Sequence, residues 1–293
     1  MIDGLPLAIK TSRCQLDVHS TRRHEEARLT VMDDDGRLHE YYEKRSVEAD
    51  RLGHREGQLE LERTKELVTR YLPAPPARVL DIGGGTGIYS SWLASLGHDV
   101  HLIDIVQAHI QAASTIGTFK ASVGDARTLE GADDSYDLVL LLGPMYHLPD
   151  DADRLRALRE AGRVARPGGL VVAAYISRLA IPMDGYVKGW IHKERGLAGM
   201  QNAVRIGHDA EGVFGAIAYF HLPSEIAPEL HAAGLDIEAV LGVEGPGWIA
   251  PDFDDRWTDI EGRRVILETA RACEVSPELL GLSAHILAFA RKA

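Results

Sequence analysis

The stretch "RVLDIGGGTGIYSSWLASLGHDVHLID", residues 78–104, constrains the fold more than any other part of the chain. Two apolar runs flank glycines at positions 83, 84, 85 and 87, and the second run closes on Asp104. Such a pattern reads as strand, bare turn and helix start, where backbone comes close to a ligand and free N–H groups face its polar end. The spacing is G-x-G-x-G; the dinucleotide pattern G-x-G-x-x-G needs its third glycine at Ile88. Asp81 stands immediately before the turn. A carboxylate there repels a pyrophosphate and suits an ammonium group, so a nicotinamide-dependent oxidoreductase is disfavoured.

Around this turn the chain alternates strands and helices. Leu52, Leu59, Leu67 and Tyr71 recur at roughly helical spacing within 47–72, and "PAPP" (73–76) stops that helix. Strands are expected at ARVLDI, DVHLID, FKASVGD, YDLVLLL and LVVAAYI, with helices at 86–96, near 107–114 and at 151–165 between them. The alternation implies right-handed crossovers and an α/β, doubly wound Rossmann-like sheet covered on both faces, as the continuously apolar "DLVLLL" and "LVVAA" require. Three parts follow: an N-terminal arm (1–38), a helical cap segment (39–72), and a main domain (73–293) with an insertion at about 177–222 after strand five. The insertion mixes Gly, Trp, Met and Tyr without a clear strand. After it come a helix at 224–233, the strand LDIEAVLGV, a helix near 259–273 and the strand SAHILAFARK.

Composition narrows the partners. With 293 residues and 45% hydrophobic content, the chain can bury one substantial core, and a net charge of -12 leaves no cation surplus for a phosphate backbone. No nucleic acid partner is expected. No apolar stretch approaches the roughly 20 residues of a membrane-spanning helix, and no secretory signal opens the chain, so the expectation is no membrane and a cytoplasmic location. The two cysteines lie far apart, and the thirteen histidines show no ligand spacing with carboxylates. Neither a disulfide framework nor a metal is implied.

The segment "VLDIGGGTG" resembles motif I of the class I S-adenosylmethionine-dependent methyltransferases, and further landmarks match in order. "GDAR", "DLVLLLGPMYHL" and "RVARPGGLVV" resemble the family's later motifs, so the likeness covers roughly 40–176; within the family it is most similar to the UbiE-like bacterial small-molecule enzymes. The resemblance implies a seven-stranded sheet of order 3-2-1-4-5-7-6 with the last strand antiparallel, and S-adenosylmethionine as cofactor. It places Gly83, Gly84, Gly85 and Asp81 at the amino-acid end and Asp104 with Ile105 at the ribose. Asp125 and Ala126 fall at the adenine, and Leu142 and Gly143 on the rim after strand four. Tyr42 and Arg63, on entry segments that close over the cofactor in related enzymes, are candidates for its amino-acid end, Arg63 by pairing with the carboxylate.

His147, with Tyr146 beside it, leaves strand four where the transferred methyl is expected, and a histidine there can take a proton near neutral pH. The same residue could instead bond a loop carbonyl or shape the acceptor pocket. His192 and His221 are weaker candidates of the same kind, while His98, His101, His109 and His285 read as structural. The expected activity is methyl transfer to an O, N or S atom of a small, largely apolar acceptor in bacterial secondary metabolism, by a monomer or homodimer. The cap and the insertion are expected to form its lid. A quinone-type C-methyltransferase, a cofactor-binding relative without transfer and an NAD-dependent oxidoreductase are the rival readings.

Overall fold

Strands with two apolar faces need cover on both sides, and the computed structural model provides it. It describes residues 36, 52, 56–208 and 218–293. The strands are β1 (Arg78–Ile82), β2 (Asp99–Asp104), β3 (Lys120–Val123), β4 (Tyr136–Leu141), β5 (Ala165–Ser177), β6 (Phe220–His221), β7 (Leu235–Gly242) and β8 (His285–Lys292). They form one sheet of order β3-β2-β1-β4-β5-β8-β7, with β6 paired to β5. β1 to β5 are mutually parallel where they pair, and β8 runs antiparallel to both β5 and β7. The expected order is therefore present, with the two-residue β6 added where the insertion returns to the sheet.

Alternate strand residues go to opposite layers, as the period-2 geometry demands. On one face Leu80, Ile82, Val139, Leu141, Val171 and Ala173 pack with Ala157, Leu158 and Ala161 of α4 (Asp151–Val164) and with Ile226 and Leu230 of α7 (Pro223–Ala232). On the other, Val79, Leu138, Leu140, Leu170 and Val172 pack with Leu67 and Val68 of α1 (Glu56–Tyr71) and Leu93 of α2 (Ile88–Ser95). Local signals set the ends: Asp150 caps α4 by accepting from the Ala152 amide, and Gly97 (φ 91°) takes the left-handed turn beyond α2.

The helix expected at 107–114 is α3 (Gln107–Ser114), and the one near 259–273 is α9 (Ile260–Cys273), preceded by the short α8 (Phe253–Thr258). The insertion contains two helices not anticipated from sequence, α5 (Ala180–Val187) and α6 (Glu194–Ile206). The arm at 1–38 lies outside the described residues apart from Gly36, as does nearly all of 39–55. Among the described residues no helix is long and apolar enough to cross a membrane.

Candidate functional site

β1 to β5 all end at one edge of the sheet, and a pocket opens where β1, β2 and β4 meet that edge. This is the crevice in which open α/β sheets bind ligands. Its floor is the glycine turn. Gly83, Gly85 and Gly87 hold φ of 68°, 57° and 90°, a region that side chains with a Cβ avoid. A Cβ on Gly83 would lie 2.8 Å from Pro144 Cδ, and one on Gly84 would lie 2.7 Å from Asp81 Oδ2. The bare backbone is thus fixed from two sides: by the loop after β4 and by the carboxylate before the turn.

Asp81 is fully buried at the end of β1. Ser90 Oγ donates to its Oδ2 at 2.7 Å, whereas its Oδ1 is buried without a hydrogen-bond partner. Burial pushes the carboxyl up to about 6, the Asp104 charge adds to that, and the Ser90 hydrogen bond opposes both. A buried acceptor in this state favours a ligand that brings a positively charged donor. Asp104, at the end of β2, accepts from the Gly85 amide at Oδ2 (2.9 Å) and from the Val106 amide at Oδ1 (2.8 Å). His109 Nδ1 stands 3.2 Å from the same Oδ1.

The adenine end expected after β3 is formed by Asp125, Ala126 and Arg127. Asp125 accepts from the Arg127 amide and from its guanidinium, including Nη2 at 2.7 Å. These bonds hold its carboxyl below the usual carboxylate range, although burial works the other way. The far wall is the loop after β4: Leu142, Gly143, Pro144, Tyr146, His147 and Leu148 all line the pocket. Tyr146 Oη donates to the Leu142 carbonyl at 2.8 Å, and its ring meets that of His147 edge-on at 4.8 Å.

Of the residues expected at the site, Asp81, Gly83, Gly84, Gly85, Asp104, Ile105, Asp125, Ala126, Leu142, Gly143, Tyr146 and His147 come together on this one pocket. Tyr42 lies outside the described residues. Arg63 corrects the expectation. It is fully buried away from the pocket lining, and its guanidinium is held by Glu66 (2.6 Å), Glu274 (2.5 Å) and the Val243 carbonyl (3.1 Å). Its charge binds α1 to the end of α9, because Glu274 directly follows that helix. A ligand carboxylate would have to displace two glutamates to reach it. His221 is likewise 1% exposed, 3.3 Å from Glu229 and not in the pocket lining.

Sequence reasoning missed Glu60, Thr86, Tyr89, His109 and Arg127 in the same lining. His109 was legible in principle: it sits on the first turn of α3, five residues after Asp104, within reach of a group at the end of β2. Glu60 has no such signal, because nothing local says which face of α1 turns to the pocket. One group among the described residues has a donor set for a metal: Glu60, Glu244 and His285, from three separate elements. His285 Nδ1 is already 2.6 Å from Glu244 Oε1, so a cation would have to part that pair.

The methyltransferase domain model matches residues 79–169, from β1 into the start of β5, a segment that carries most of the pocket lining. The chain is 32% identical over 196 residues to the ubiquinone biosynthesis O-methyltransferase of Rhizobium rhizogenes, covering 63% of this chain and 68% of that one. It is 28% identical over 200 residues to the Azorhizobium caulinodans enzyme of the same name, covering 62% and 70%. In three dimensions it resembles a Methanosarcina mazei S-adenosylmethionine-dependent methyltransferase with a TM-score of 0.54 at 20% identity, over 77% of this chain and 96% of the other.

Proposed function

The chain belongs to the class I S-adenosylmethionine-dependent methyltransferases, and from that premise we propose that it methylates a small, largely apolar acceptor, most readily at oxygen. The observation that carries this reading is the pair of buried carboxylates, Asp81 and Asp104, on either side of a glycine turn, with Asp81 Oδ1 lacking a partner. The pocket fits the cofactor chemically: an ammonium group answers the orphaned oxygen, and the bare turn leaves room that a Cβ would fill.

When bound, S-adenosylmethionine supplies an electrophilic methyl on its sulfonium. The protein's part is to hold and align. Asp81 and the Gly83–Gly85 backbone would grip the amino-acid end, Asp104 the ribose hydroxyls, and Asp125 with Ala126 the adenine. Leu142 and Gly143 would contribute backbone on the rim. Positioning of this kind can supply roughly 7 to 11 kcal/mol, whereas a general base typically adds about 10²- to 10⁴-fold, some 3 to 5 kcal/mol. Placement therefore outweighs any one proton transfer. His147 or Tyr146 orients the acceptor or takes its proton. For Tyr146 this requires giving up the bond to the Leu142 carbonyl, which favours His147. The cap helix and the insertion would close over the reacting groups and keep water out.

The oxygen preference rests on the relatives named as O-methyltransferases of ubiquinone biosynthesis, which suggests a phenolic hydroxyl. The test is to incubate purified protein with S-adenosylmethionine labelled in its methyl group and extracts of the source organism, then identify the product by mass spectrometry. A labelled methyl ether of a small aromatic compound is expected; label on protein or RNA, or none at all, would overturn the reading.

A further inference from the structure

The loop bearing Tyr146 and His147 makes one short turn, closed by the His147 amide on the Pro144 carbonyl, and two of the carbonyls that follow converge on one buried cation. Arg154, on the first turn of α4, is 4% exposed. Its Nη1 donates to the carbonyls of both Leu148 and Pro149, each at 2.9 Å, and its Nε donates to Glu229 of α7 at 2.7 Å. Its guanidinium lies 3.7 Å over the ring of Tyr219.

Tyr219 approaches the same loop from the other side. It belongs to the segment returning from the insertion, one residue before β6, and its amide donates to the Tyr146 carbonyl at 2.9 Å. Its hydroxyl meets Arg178 Nη2 at 3.2 Å, and that nitrogen also donates to Glu225 at 2.8 Å. Arg178 in turn donates through Nε to the Phe220 carbonyl. The tyrosine is thereby fixed in place, with the Arg154 guanidinium over its ring and the Arg178 guanidinium bonded to its hydroxyl.

We propose that Arg154 and Tyr219 are positioning residues for methyl transfer: together they set the Tyr146–Pro149 backbone, and through it the aim of Tyr146 and His147, while keying the returning end of the insertion to that loop. The catalytic role of the loop rests on the methyltransferase reading; the latch itself does not. Arginine suits the task because its rigid planar fork serves two carbonyls and a carboxylate at once and stacks on a ring, which a lysine point charge cannot do. A stacked pair of this kind gains from desolvation, and the Arg154 side of it is buried.

The test is amide hydrogen exchange on the full chain without ligand, comparing wild type with Arg154→Lys, Tyr219→Leu and Tyr219→Phe. Arg154→Lys and Tyr219→Leu are expected to raise exchange at 146–148 at least tenfold while β1 and β4 stay protected; Tyr219→Phe, which keeps ring and amide, should retain most of the protection. Calorimetry should find S-adenosylmethionine affinity within about threefold of wild type in each variant, while methyl incorporation with the extract falls at least tenfold in Arg154→Lys and Tyr219→Leu. Unchanged loop protection, or a loss spread evenly over the core, would overturn the latch. If Arg154→Lys does not fold, Tyr219→Leu carries the same test. Absence of cofactor binding by wild type would instead undo the methyltransferase reading and leave the exchange result standing.

Discussion

The Gly85 amide donates to Asp104 Oδ2 across nineteen residues of sequence, at 2.9 Å. The bond locks the bare turn after β1 to the end of β2, so the two parts of the pocket proposed to hold the cofactor share one carboxylate. Replacing Asp104 with Asn retains one acceptor and removes the charge. We expect a loss of about 1 to 3 kcal/mol in the turn and a drop in S-adenosylmethionine affinity of roughly ten- to a hundredfold. Isothermal titration calorimetry measures the second, and thermal unfolding the first.

Asp81 predicts a conflict between stability and binding. Its carboxyl sits at about 6 in the fold, above the ordinary value of 3.8, so the native state holds the proton more tightly. The associated stability is present below about pH 4 and is lost as pH rises through 6. At pH 7.5 the ionised group therefore costs up to about 3 kcal/mol. Asp81→Asn should raise the Tm of the free protein at pH 7.5 by a few degrees and weaken cofactor binding at least tenfold. In wild type, affinity should fall as the pH drops below 6, because the ammonium then meets a protonated partner. A pH series of titrations on both proteins measures each effect.

Arg63 should behave as a structural cation. Arg63→Met leaves Glu274 with Arg70 alone and is expected to destabilise the fold by about 3 to 5 kcal/mol, the usual result of removing one member of a buried pair. Cofactor affinity measured well below the new Tm should stay within a few-fold of wild type. A selective loss of affinity with no loss of stability would return Arg63 to the binding site.

His147 separates base catalysis from positioning. If the imidazole takes the acceptor's proton, His147→Gln should lower kcat by about 10²- to 10⁴-fold and remove the limb of the pH–rate profile that a histidine produces. If it only shapes the pocket, KM should rise and the profile should keep its form. Steady-state rates with the identified acceptor, from pH 5 to 9, distinguish the two.

The sheet was legible because its signals are local. Four glycines between apolar runs, a carboxylate at each strand end and near-continuous Val and Leu in β4 and β5 leave few other arrangements. The insertion was not legible, because its glycines act against their usual meaning. Gly196 lies inside α6, where a Cβ would run into the Trp190 carbonyl, and Gly185 lies inside α5 against Ile191 and Trp190. In the fold these glycines let two helices and a tryptophan approach closely. Arg63 was misread because the likeness of its segment to entry helices put it at the cofactor carboxylate, whereas the partner that buries it, Glu274, lies 211 residues away. Glu60 reaches the pocket through the orientation of α1, which packing decides and local sequence does not.

The central claim is that the cofactor lies along the strand ends, its amino-acid end at Asp81 and its ribose at Asp104. Calorimetric titration of the purified full chain with S-adenosylmethionine, alongside Asp81→Asn and Asp104→Asn, tests it most directly. The account predicts saturable one-to-one binding by wild type, at least tenfold weaker binding by each variant and no heat with NAD. No heat with S-adenosylmethionine, or binding that neither substitution alters, would contradict it.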